Sequence, residues 1–71
     1  MKLTEIFDVI LESTDGKIVG YAFYVGKLFK DEAKDLKNYK GINIYTHLHM
    51  KESDVILYME DELLDEDIIL N

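Results

Sequence analysis

The chain is expected to fold as an α+β module, an antiparallel β-sheet of three to five strands with one helix packed on it. Three observations carry this expectation. An Asp-Gly pair at Asp15-Gly16 lies between two runs of alternating apolar residues. A run with helical spacing follows over residues 29 to 39. Two further strand-like runs then occupy residues 42 to 50 and 55 to 59. The 71 residues make a single domain over 1 to 71, and a chain of this size buries roughly 60% of its unfolded surface.

Residues 5 to 25 read as a β-hairpin. Phe7, Val9 and Leu11 alternate with Asp8, Ile10 and Glu12. Ser13-Thr14-Asp15-Gly16-Lys17 then supplies the positive-φ positions that a type I′ turn demands. The chain returns over residues 18 to 25 with Val19, Tyr21, Phe23 and Val25 on one face, and Gly20 marks a bulge or a close backbone approach. Gly26 ends this strand. In residues 29 to 39, Phe29, Ala33, Leu36 and Tyr39 share one helical face. Lys30, Asp31, Lys34, Asp35 and Lys37 cover the other side, and Gly41 reads as the stop. The next strand, residues 42 to 50, puts Ile42, Ile44, Leu48 and Met50 on one face and Asn43, Tyr45, His47 and His49 on the other. Residues 51 to 54 form a polar turn, and residues 55 to 59, apolar on both sides, read as a central or covered strand. Residues 60 to 70 read either as a helix with Leu63, Leu64 and Ile68 inward, which is preferred, or as a loop over 60 to 67 followed by a strand over 68 to 70.

Charge is unevenly placed. Residues 52 to 71 hold eight acids and no Lys, a balance of −8, whereas residues 1 to 51 balance at +1, giving the net −7. Six of the acids lie between Glu60 and Asp67 and enclose Leu63 and Leu64. An anionic chain is repelled by nucleic acid and by anionic lipid, so direct nucleic-acid or membrane binding is not expected and a basic partner is. No apolar run approaches bilayer length, and Glu5 and Asp8 interrupt any signal-peptide core. The chain has no Cys, which suits a reducing cytoplasm and excludes disulfide staples. Self-association is the remaining way to support a small core, so a homodimer is expected.

Catalysis is poorly supplied. Ser13 and Ser53 sit in turns without the Gly-x-Ser-x-Gly context of a strained nucleophile, and carboxylate pairs need a cleft that a chain of this size has little volume to form. His47 and His49 share a strand face, but a third metal ligand is missing. The residues 61 to 67 lack the Gly of a Ca²⁺ loop. The expectation is therefore no enzyme, no cofactor and no metal.

Carboxylates spaced along a chain can imitate DNA phosphates, which carry one charge per about 1.7 Å of duplex axis. The expected partner-binding surface is Glu52, Ser53, Asp54, Tyr58, Glu60, Asp61, Glu62, Leu63, Leu64, Asp65, Glu66 and Asp67, the apolar members serving as desolvated anchors. Glu52-Ser53-Asp54-Val55-Ile56-Leu57 and the order of hairpin, helix and strand resemble small phage inhibitors of uracil-DNA glycosylase. That resemblance implies an acidic DNA mimic acting in the cytoplasm of a host cell on the basic groove of a DNA-binding enzyme. Asp54 departs from the resemblance, because it stands where that family has an apolar residue. The same charge pattern suits an anti-CRISPR or anti-restriction inhibitor. A reading from another class is a small dimeric structural or assembly protein whose acids only keep its surface soluble.

Overall fold

The computed structural model describes residues 2 to 14, 18 to 60 and 68 to 69. The fold is α+β: two helices pack on one face of a five-stranded mixed sheet.

Helix α1, Leu3–Glu12, replaces the outgoing arm of the expected hairpin. Leu3, Phe7, Ile10 and Leu11 fall at helical spacing on one face. Leu3 and Phe7 are fully buried, Ile10 and Leu11 pack beside them, and Val9 is 62% exposed. The alternation of Phe7, Val9 and Leu11 was thus incidental to a longer period that includes Leu3 and Ile10. The helix has no local N-cap side chain; the Glu32 carboxylate accepts the Leu3 amide at 3.4 Å instead. At the other end the hydroxyls of Ser13 and Thr14 donate to the carbonyls of Ile10 and Leu11 at 2.6 and 2.8 Å. Asp15-Gly16, the expected hairpin tip, lies outside the described residues.

The returning strand is shorter than expected. Val19 is 91% exposed, and β1, Tyr21–Val25, begins after Gly20. A single 3-10 turn, Lys27–Phe29, leads into α2, Lys30–Leu36. The expected helical face holds at Ala33, which is buried, and at Phe29 and Leu36, which pack against the core. The helix stops earlier than residue 39 because Lys37 takes a positive φ of 56° and donates its amide to Ala33.

Tyr39 then belongs to β2, Asn38–Tyr39, which pairs antiparallel with β3, Ile42–His47. The two residues between them, Lys40 and Gly41, have φ of 53° and 85°, both positive as a type I′ hairpin turn requires. Gly41 is therefore a hairpin residue, not a helix stop. Strand β3 ends at His47 and not at Met50, so Leu48 and His49 leave the strand faces assigned to them. Strand β4, Val55–Met59, keeps the bounds expected of it. Among the described residues it lies at the end of the sheet order and not at its centre, and Val55 and Leu57 are covered by packing against the core. Strand β5, Ile68–Ile69, pairs antiparallel with Thr46 and His47, which removes the helical reading for those two residues.

The sheet order is β2-β3-β1-β4, with β5 also on β3. Strands β1 and β3 are parallel, Ala22 to Val25 opposite Asn43 to Thr46, whereas β1 and β4 are antiparallel. The sheet is thus mixed and not wholly antiparallel. A parallel pair needs a crossover, and α2 supplies it. The core lies between the helices and one sheet face: Leu3, Phe7 and Ala33 meet Phe23, Val25, Ile42 and Ile44. Phe7 stacks on Phe23 at 4.0 Å between ring centroids. Asp8 ties α1 to the β2–β3 hairpin, accepting from the Tyr39 hydroxyl at 2.8 Å and from Lys40 Nζ at 3.0 Å. The Tyr39 bond, then the Lys40 bond, hold the Asp8 carboxyl below its usual range.

Candidate functional site

The helices leave the second face of the sheet to other residues. Strand alternation puts Ala22 and Tyr24 of β1, Asn43, Tyr45 and His47 of β3, and Ile56 and Tyr58 of β4 on that face. Three tyrosines form a row across three strands: the Tyr24 ring is 5.8 Å from that of Tyr45 and 6.3 Å from that of Tyr58. Tyr24 is fully buried, Tyr45 is half-buried, and Tyr58 is 40% exposed.

Glu60 makes four hydrogen bonds, two of them with tyrosines of this row. Its amide donates to the Gly20 carbonyl at 2.8 Å. Its own carbonyl accepts from the Tyr24 hydroxyl at 3.0 Å. Its carboxylate oxygen Oε1 accepts from Asn43 Nδ2 at 2.9 Å and from the Tyr45 hydroxyl at 2.8 Å. Both carboxylate donors come from β3, beyond β1, and the chain crossed is Gly20 and Ala22, too small to obstruct the reach. The Asn43 bond, then the Tyr45 bond, lower the Glu60 carboxyl from its ordinary value, against a smaller opposing effect of burial.

A carboxyl depressed in the folded state contributes stability above its unfolded pKa and loses it as pH falls through the lowered folded value. Tyr45→Phe is expected to raise the Glu60 titration midpoint back towards the ordinary carboxylate range, read from the side-chain carboxyl carbon shift. An unchanged midpoint would mean that the Tyr45 bond does not form in solution.

The described residues of the expected surface fall into two groups. Tyr58 and Glu60 lie at one end of β4. Glu52, Ser53 and Asp54 lie at the other, with Asp54, the nearest, about 20 Å from Glu60 at strand rise. There the Glu52 carbonyl accepts from the Leu28 amide at 3.0 Å and the Asp54 carbonyl from the Gly26 amide at 2.8 Å. Asp61, Glu62, Leu63, Leu64, Asp65, Glu66 and Asp67 lie outside the described residues. Tyr24, Asn43 and Tyr45 were not singled out from the sequence, because their link to Glu60 depends on the register of β1 against both neighbours. The alternation of Asn43 with Tyr45 was the only available signal.

His49 lies beyond the end of β3, but its ring stays 6.2 Å from that of His47. His47 is 7% exposed, edge-on to Tyr24 at 6.2 Å. Its Nδ1 accepts the His49 amide at 3.2 Å. Among the described residues no three His, Cys, Asp or Glu side chains are grouped to hold a metal.

No helix of the described residues is long and apolar enough to cross a membrane. The chain matches no family model, no curated protein and no solved structure.

Proposed function

We propose that the chain is a non-enzymatic acidic inhibitor that occupies the basic groove of a DNA-binding enzyme in place of DNA, with uracil-DNA glycosylase the first target to assay. The observation that supports this reading is the attachment of the acidic run. Glu60, at its start, is fixed to Gly20, β1 and β3 by four hydrogen bonds. Ile68, just past its end, is paired with His47. An anionic segment held to a sheet at both ends loses less conformational freedom on binding than a free tail.

The test is inhibition of uracil excision, followed by a panel of restriction enzymes and CRISPR effectors. Because Glu60 serves the fold, the informative charge variant is Asp61→Asn, Glu62→Gln and Asp65→Asn together. Each lost rim charge is expected to cost on the order of 1 kcal/mol or less and to act mainly on association rate. The triple variant should bind more slowly and with weaker salt dependence. Absence of inhibition by the wild type across the panel, or equal inhibition by both proteins at low and high salt, would remove the mimicry reading.

A second reading, assembly into a homodimer through the sheet edge, is supported by β4. The Glu60 amide bonds Gly20 and the Gly26 amide bonds Asp54, so the even-numbered residues of β4 face β1. The amides of Val55, Leu57 and Met59 therefore point outward, with no partner strand among the described residues. Met59→Pro removes one outward amide without taking a bond from β1. Under this reading, light scattering should give a dimer for the wild type and a monomer for Met59→Pro at the same micromolar concentration. A wild-type monomer would remove it.

A further inference from the structure

We propose that Glu60, Asn43, Tyr45 and Tyr58 form a receptor for one guanidinium group, the side chain of an arginine on a partner protein. The inference rests on the reading of the partner as basic and names the group that this end of the sheet takes.

The carboxylate is the starting point. Glu60 is exposed, and Asn43 and Tyr45 both donate to Oε1, which orients its carboxylate. Both donors are neutral, so they aim the carboxylate without cancelling its charge. The ion pair found among the described residues, Lys40 with Asp8, lies on the helix side of the sheet. Among the described residues no donor bonds Oε2, which can accept from a group arriving from solvent.

The aromatic surroundings select the cation. Tyr58 stands two residues before Glu60 on the same face of β4, and Tyr45 reaches Glu60 from β3. A ring face attracts a cation through its quadrupole. A guanidinium is planar, so it can lie against a tyrosine ring while its edge donates to a carboxylate oxygen, whereas an ammonium is a compact, strongly hydrated point charge. The chain itself contains no Arg, so the guanidinium must come from another molecule. An arginine that normally grips DNA phosphate would find here the same charge in a fixed, half-apolar setting.

The test is an NMR titration of the full labelled chain with N-acetyl-arginine methylamide, using N-acetyl-lysine methylamide as comparison. The arginine compound should produce saturable shifts, at millimolar concentrations, in the Glu60 carboxyl, the Asn43 side-chain amide and the rings of Tyr45 and Tyr58. Glu60→Gln keeps an acceptor for Asn43 and Tyr45 but removes the charge, and should weaken binding about fivefold or more, because charge-assisted bonds are roughly twice as strong as neutral ones. Tyr58→Leu, a change at a partly exposed ring, should also weaken it while leaving the far-ultraviolet circular dichroism unchanged. The lysine compound should bind less tightly. Non-saturating shifts, shifts of equal size in Glu60→Gln, or equal affinity for lysine would each overturn the assignment. Because the probe is a single residue and no enzyme is assayed, this result is independent of whether the chain inhibits a DNA-binding enzyme.

Discussion

Phe7→Ala is expected to destabilise the fold by about 4 kcal/mol, and Val9→Ala by less than about 0.5 kcal/mol. Phe7 is fully buried, stacks on Phe23 at 4.0 Å and lies 5.6 Å from the Tyr39 ring. Removing it opens a cavity between α1 and the sheet that neither Leu3 nor Ile10 can fill without moving the helix. Val9 is two residues away and 62% exposed, so its truncation uncovers little. At roughly 4–8 °C per kcal/mol for a domain of this size, thermal unfolding separates the two variants clearly. The contrast also tests the element itself. In a strand, Phe7 and Val9 would share a face and the two losses would be similar; comparable melting temperatures would therefore contradict α1.

Gly26→Ala carries the second large effect, about 3 kcal/mol. Gly26 has an ordinary φ of −76°, so backbone conformation does not demand glycine there. Proximity does. A Cβ at this position would overlap the carbonyl oxygens of Lys51 and Glu52. Those atoms belong to a backbone loop and cannot swing aside as a side chain would. The loop is also bonded in place, by the Gly26 amide to Asp54 and the Leu28 amide to Glu52, so making room for the methyl group costs both bonds. Gly41→Ala is the control: nothing lies within 4 Å of its Cβ position, and only the positive φ of 85° is strained, a cost of about 1 kcal/mol. If Gly26→Ala melts no lower than Gly41→Ala, the close approach of the 51 to 54 loop is wrong.

What the sequence revealed depends on how local each signal was. Strand β4 was legible because five consecutive apolar residues are bounded by Lys51-Glu52-Ser53-Asp54 and by Glu60. The α2 face was legible through Phe29, Ala33 and Leu36. Helix α1 was misread because Phe7, Val9 and Leu11 satisfy a period of two within a stretch that Leu3, Phe7, Ile10 and Leu11 satisfy at a period near 3.6, and an adjacent Asp-Gly favoured the first. A two-residue hairpin turn does exist, at Lys40-Gly41, where Lys40 offers no composition cue for a positive φ. The parallel pairing of β1 with β3 was lost with the same error, since the supposed hairpin had already given β1 a neighbour. Glu60 looked like the first of a row of free acids. Only the register that places it over Gly20, within reach of Asn43 and Tyr45, shows that its charge is also a structural anchor.

The two short strands on β3 bear on how many molecules can join. Strand β2 covers the outer side of β3 at Ile42 and Asn43, and β5 covers it at Thr46 and His47. Between them the Ile44 amide is taken by the Lys37 carbonyl at 3.0 Å. On that side the outer rims are two strands of two residues each, whereas β4 presents a rim of five among the described residues. A sheet open on both sides can add copies without end and form a fibre. Very short edge strands blunt one side of a sheet against such growth, and two copies joined along the longer rim by a two-fold axis consume both long rims. The topology therefore concentrates the long free rim on one strand, which favours closed pairing over open-ended growth.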